Sequence, residues 1–136
     1  MITVPVRLAD HHYDVVVGPR ARDALANVIP PRAKRVAVVT QAAIPIVVDP
    51  GRDHHVFTIE EGESAKSLAT VERLCGDFAR FGPTRGEAVV SVGGGVVTDV
   101  GGFAAAVYHR GVAVVHVATT LLAMVDAAIG GKTVVN

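Results

Sequence analysis

The chain has no tryptophan, one cysteine and few aromatic rings of any kind, two tyrosines and four phenylalanines in 136 residues. A lone Cys75 excludes an internal disulfide framework and makes a reducing cytoplasm the default location. Excess charge of either sign is also missing. Thirteen Lys and Arg balance thirteen Asp and Glu, so no overall field draws in nucleic acid or an anionic membrane. Long apolar runs are absent, since Gly, His or Thr interrupts each one, and no membrane span is expected. The opening "MITVPVRLAD" lacks the cationic segment and apolar stretch of a secretory signal. No H-E-x-x-H or C-x-x-C occurs, so no complete metal site can be read. His11-His12 and His54-His55 are adjacent pairs, which point to opposite faces of a strand and make no metal site by themselves.

What remains is rich in Val and Ala, with half of all residues apolar. Val-rich runs suit strands covered on both faces. "TVPVRLA" and "YDVVVG" read as a hairpin around "DHH", and "RARDALANVI" as a short helix closed by Pro30-Pro31. "RVAVVT" is a buried strand, but "QAAIPIVVDPGRD" is too short and too rich in Pro and Gly for a crossover helix. "HHVFTIE" resumes strand character. From Ser64 to Phe81 the period is helical, with Leu68, Val71, Cys75 and Phe78 on one face and Ser64 as N-cap. "EAVVSV" and "VAVVHVA" are further strands, separated by "GGGVVTDVGGFAAAVYHRG", and "TTLLAMVDAAIGG" begins as a helix. This alternation predicts an α/β fold with a mostly parallel sheet, in one domain over residues 1–136.

Four stretches carry chemistry. "VVSVGGGVVTDVGG" is strand, glycine turn, helix, an arrangement that lets backbone N–H groups reach a pyrophosphate. Its glycines are expected to supply positive φ and room for a close approach. A tight connection without ligand has the same signature, because the spacing departs from G-x-G-x-x-G. Asp99, one turn into the helix, either meets a ligand or complements the helix dipole. "GGKT" suggests a P-loop, yet Asp126 stands where the first P-loop glycine is required, which excludes one. Asp126 and Lys132 flank the Gly130-Gly131 break, where they either face one polar pocket or form a surface ion pair. Thr119 and Thr120 end a strand, as ligand contacts or as N-caps, and Arg110 in "YHRG" is a phosphate clamp or a solvated side chain. His116 is expected to be a satisfied core histidine, and Cys75 an inert one.

Taken in order, "EEGESAKSL" and "SVGGGVVTDVGGFAAAVYHRGVAVVHVATTLLAMVDAAIGGKT" resemble the 3-dehydroquinate synthase family. The likeness is most specific over residues 89–136, good from about Phe57, and colinear before that. The resemblance implies a Rossmann-like NAD-binding domain. Glu63 and Lys66 would contact the adenosine side of NAD, Gly94, Gly95 and Val96 the pyrophosphate, and Asp99 the nicotinamide. Thr119, Thr120 and Leu122 would line the cofactor, with Asp126 and Lys132 facing substrate and nicotinamide. Arg110 would reach the substrate phosphate of a neighbouring subunit in a homodimer. The implied reaction converts 3-deoxy-arabino-heptulosonate 7-phosphate to 3-dehydroquinate and phosphate, in the shikimate route to aromatic amino acids. A hydroxyl is oxidised with NAD, phosphate leaves, the ketone is reduced again, and the opened ring closes by an aldol step.

The chain departs from the family pattern at Gln41, where Asp is usual, at Ala118 and at Val134. The resemblance also implies a helical second domain binding zinc or cobalt. None of it lies in these 136 residues, so the chain is expected to be the NAD-binding part, inactive alone. Alternatives are another sugar phosphate cyclase, of the 2-deoxy-scyllo-inosose or 2-epi-5-epi-valiolone type, an alcohol dehydrogenase of the glycerol dehydrogenase type, or a non-catalytic nucleotide-binding fragment.

Overall fold

The structure, a computed structural model, describes residues 1–82, 87–131, 133, 135 and 136. Lys132 and Val134, singled out above, lie outside the described residues. The chain opens with an antiparallel hairpin, β1 (Ile2–Arg7) and β2 (His12–Val17). A 3₁₀ turn at Ala21–Ala24 leads into α1 (Leu25–Val28), and then a parallel sheet begins. Its strands are β3 (Arg35–Gln41), β4 (Asp53–Ile59), β5 (Glu87–Gly93) and β6 (Ala113–Ala118), in the spatial order β4-β3-β5-β6.

Two apolar layers hold the sheet. On one face, α2 (Leu68–Phe81) and α3 (Gly95–Val107) bring Val71, Leu74, Phe78, Val97, Val100 and Ala104 onto Ala37, Val39 and Val89. On the other, Leu25, Ile29 and Ala33 cover Val36, Val38, Ala88 and Val90. Each such large side chain taken fully out of water stabilises the fold by about 1.5–3 kcal/mol. The uninterrupted burial of β5 explains its near-continuous apolar sequence: it is central, with helices on one side and α1 on the other.

The segment between β3 and β4 forms no helix, as its Pro and Gly content predicts. It closes the second face with Ile44, Ile46 and Val48 and leaves a cavity of 280 Å³ beside Thr40, Gln41, His54 and Thr58. Two details of α2 differ from expectation. Ser64 falls in a preceding 3₁₀ turn, Glu63–Ala65, and Ser67 is the true N-cap, accepting the Thr70 N–H at 3.2 Å. Leu68 consequently sits in the first turn and is 63% exposed, while Leu74 takes the buried place on that face.

Connections leave β3 in one direction towards β4 and return, through α2, to β5 on its other side. The order therefore reverses between β3 and β5, and open α/β sheets bind ligands outside the carboxyl ends of the strands at such a point. Here the two ends are bridged, since Thr40 Oγ1 donates to the Val92 carbonyl at 2.8 Å.

Candidate functional site

The glycine turn sits at this reversal. Gly93 closes β5, Gly94 is the N-cap of α3, and no side chain caps that helix or places an acid in its first turn. Its first N–H groups thus face outward with the positive end of the dipole behind them. The expectation of positive φ here is corrected: Gly94 has φ −84°, and none of Gly93, Gly94 and Gly95 is left-handed. Close approach is the actual reason for glycine. A Cβ on Gly93 would stand 2.6 Å from Val97 Cβ and 3.1 Å from Ile44 Cδ1, and one on Gly94 would stand 3.0 Å from Thr120 Cγ2.

Behind the turn, α3 carries Asp99, and the 3₁₀ turn before α2 brings Lys66 to meet it. Lys66 Nζ lies 3.0 Å from Asp99 Oδ2 and 3.7 Å from Glu63 Oε2. Side chains at Lys66 and Asp99 are only 15% and 12% exposed. The hydrogen bond to Asp99 pushes the Lys66 ammonium pKa up, against the opposing effect of burial, so it is charged at neutral pH. Asn136 completes the cluster: its backbone N–H donates to the Lys66 carbonyl at 2.9 Å and its amide to Glu63 Oε2 at 3.2 Å.

Across the turn lies the segment after β6. Thr119 N–H donates to the Gly93 carbonyl at 3.0 Å, and Thr120 Oγ1 accepts the Ala123 N–H at 3.2 Å, so Thr120 acts as an N-cap. The helix it opens is a π-helix, Ala123–Ala127, with Ala128 N–H donating to Ala123 O five residues back. Single π turns recur at functional sites, where they re-aim a side chain. Asp126 lies in this turn, and the methyl group of its neighbour Ala127 is 3.7 Å from where a Gly95 Cβ would stand. Asp126 and Leu122 are both exposed.

The structure thus gathers Glu63, Lys66, Gly94, Gly95, Val96, Asp99, Thr119 and Thr120 around one turn, with Leu122 and Asp126 exposed on the segment that follows Thr120. Arg110 is not among them. It follows α3 at the end opposite Gly94, in left-handed backbone (φ 66°), and 13 helical residues put about 20 Å between the two ends.

Three features escaped the sequence. His116 is hydrogen-bonded as expected but half-buried, outside both apolar clusters, and its partner, Ser91 Oγ at 2.5 Å from Nδ1, had no signal beyond two facing strand positions. Gly101 and Gly102 let α3 close onto this pair, for a Cβ would stand 2.9 Å from Ser91 Cβ at the first and 3.3 Å from His116 Cε1 at the second. Tyr13, 117 residues away in sequence, accepts the Gly130 N–H.

A parallel sheet with a glycine turn at its reversal point, an uncapped helix behind it and a buried Lys–Asp pair beside it define a Rossmann-like α/β domain of the ligand-binding kind. The family model described as 3-dehydroquinate synthase N-terminal matches residues 56–136, and the chain belongs to that family. It is 56% identical over 136 residues to a protein of Amycolatopsis mediterranei (strain S699) named "Putative aminodehydroquinate synthase", covering 98% of this chain and 38% of that one. To the 3-dehydroquinate synthase of Mycolicibacterium vanbaalenii it is 46% identical over 143 residues, covering 99% and 39%. Among solved structures, 2-deoxy-scyllo-inosose synthase complexed with carbaglucose-6-phosphate, NAD+ and Co2+ superposes with a TM-score of 0.87 at 28% identity, covering 99% of this chain and 40% of that one. The chain therefore spans about two fifths of the length of these relatives.

Proposed function

We propose that residues 1–136 form the NAD-binding part of a sugar phosphate cyclase whose full reaction yields 3-dehydroquinate and phosphate. The observation that carries this reading is the meeting of three elements at one turn: the uncapped N-terminus of α3, the Lys66–Asp99 pair and the Asp126 π-helix. The outward N–H groups of Gly95 and Val96 suit a pyrophosphate, because donors and dipole act together and Gly94 removes the Cβ that would obstruct it. Bound NAD would supply reversible hydride transfer at a substrate hydroxyl. Glu63 would accept from ribose hydroxyls, and Asp99, held by Lys66, would accept from the cofactor's amide. Asp126 and Lys132 would position the substrate, with Thr119, Thr120 and Leu122 beside the cofactor. Arg110, at the other end of α3, suits contact with a second subunit, in a homodimer working in the cytoplasm.

Among the described residues, no group of three His, Cys, Asp or Glu could hold a metal ion, and no helix is long and apolar enough to cross a membrane. The zinc or cobalt that the family resemblance implies finds no ligand set among these described residues. Turnover by these residues alone is not expected.

Titration calorimetry with NAD tests the reading. Saturable binding that Gly94→Ala weakens at least tenfold is the expected result, whereas absence of heat with the native chain would sink it. A second reading, turnover of an amino-substituted sugar acid phosphate, is favoured by the 56% identity to the Amycolatopsis protein. The two are told apart by adding either 3-deoxy-arabino-heptulosonate 7-phosphate or its amino counterpart to the NAD-saturated chain and comparing affinities.

A further inference from the structure

The hairpin β1–β2 is half-buried at Val6, Tyr13, Val15 and Val16. Ile2, Val4 and Val17 are exposed, and an isolated two-stranded ribbon is marginal in water. Among the described residues, one hydrogen bond joins it to the rest of the chain, from the Gly130 N–H to the Tyr13 hydroxyl at 2.8 Å. The bond lands at a demanding place. Gly130 and Gly131 are consecutive left-handed residues (φ 92° and 70°) that end the π-helix, immediately after Ile129 N–H has closed back onto the Asp126 carbonyl at 3.0 Å. Two glycines in succession give a turn many conformations, since no Cβ restricts either residue. A fixed acceptor for the Gly130 N–H selects one of them.

We propose that Tyr13 is a positioning residue for the candidate site. Its hydroxyl fixes the Gly130–Gly131 turn, and through that turn the orientation of the π-helix that carries Asp126 over the glycine turn. The hairpin is then a strut for the substrate side of the site. This inference rests on the reading of Asp126 as a substrate-facing group, and its test separates the two.

Tyr13→Phe keeps the ring and removes the acceptor. In the 136-residue chain, amide exchange at Gly130 should accelerate roughly three- to tenfold, the range for losing one neutral hydrogen bond. The Asp126 carboxyl carbon should change chemical shift. In the NAD-saturated chain, affinity for 3-deoxy-arabino-heptulosonate 7-phosphate should fall by a similar factor while NAD affinity stays within about twofold. Unchanged exchange at Gly130 with an unchanged Asp126 shift would overturn the proposal. So would an equal loss of NAD and sugar phosphate affinity, which marks a merely structural role. If the native chain binds neither compound, the proposed function fails, and the Gly130 and Asp126 signals still decide what Tyr13 does. Should the phenylalanine variant unfold, site-specific fluorotyrosine at position 13, which keeps the ring and leaves a weaker acceptor, gives the same comparison at Asp126 without touching the left-handed Gly130.

Discussion

Lys66 and Asp99 are joined at 3.0 Å across the gap between α2 and α3, with most of both side chains out of water. The pair ties the 3₁₀ turn at Glu63–Ala65 to the helix behind the glycine turn. Removing one partner strands the other, so Lys66→Met should leave a desolvated carboxylate at Asp99. We expect a loss of about 1–3 kcal/mol in urea unfolding, the cost of one unsatisfied buried polar group. The double variant Lys66→Met, Asp99→Leu should recover most of that loss, since replacing a whole buried pair by apolar groups is often neutral. Neither should retain NAD binding. A double variant as unstable as the single one would contradict the pairing.

Gly94→Ala bears on folding and binding together. The new Cβ would meet Thr120 Cγ2 at 3.0 Å, and turning that side chain away would give up its cap on the Ala123 N–H. Stability should fall by about 0.5–2 kcal/mol, the cost of one N-cap. On the proposed reading NAD affinity should fall at the same time, because the methyl group would crowd the pyrophosphate. Parallel melting curves and NAD titrations check both.

Much of this was legible beforehand because the signals were local and strong. β5 and β6 were marked by Val-rich runs, the loop after Gln41 by its prolines, and the turn at Gly93–Gly95 by three consecutive glycines. The sequence leaves the cap of α2 open, because Ser64 and Ser67 both precede apolar residues, and only the 3₁₀ turn at Glu63–Ala65 decides between them. The π-helix was hidden because one extra residue per turn leaves the sequence looking helical. The resemblance names Lys66 and Asp99 as separate cofactor contacts and does not pair them, and Tyr13–Gly130 has no signal in the sequence, since contacts 117 residues apart have no period.

Gly76 and Gly101 both lie inside helices and should respond oppositely to alanine. At Gly76 the nearest atom to an added Cβ is the end of the Arg80 side chain at 3.6 Å, an ordinary contact. The gain in helix propensity, about 0.5–1 kcal/mol, should appear as added stability. At Gly101 the Cβ would stand 2.9 Å from Ser91 Cβ on β5, which has no room to retreat. Overpacking there should cost about 1–3 kcal/mol despite the same propensity gain. Denaturant midpoints for the two variants give the signs directly.

His116 makes stability depend on pH. Burial pushes its pKa below the ordinary 6.5, while the Asp99 carboxylate pulls weakly the other way. Around it are Ser91, the Gly102 face of α3 and Thr133, with Lys66 bound to Asp99 beyond. The unfolded chain therefore takes up a proton at a higher pH than the folded one. Stability from this group is complete above the unfolded value and is lost as pH falls through the folded one. The slope between the two reaches at most about 1.4 kcal/mol per pH unit for one proton. Thermal unfolding of the native chain should weaken from pH 7 towards pH 5. His116→Gln, whose amide can still pair with Ser91 but cannot be protonated, should flatten the part of that decline due to this site. An identical pH profile in the two proteins would mean that His116 is already solvated in the folded state.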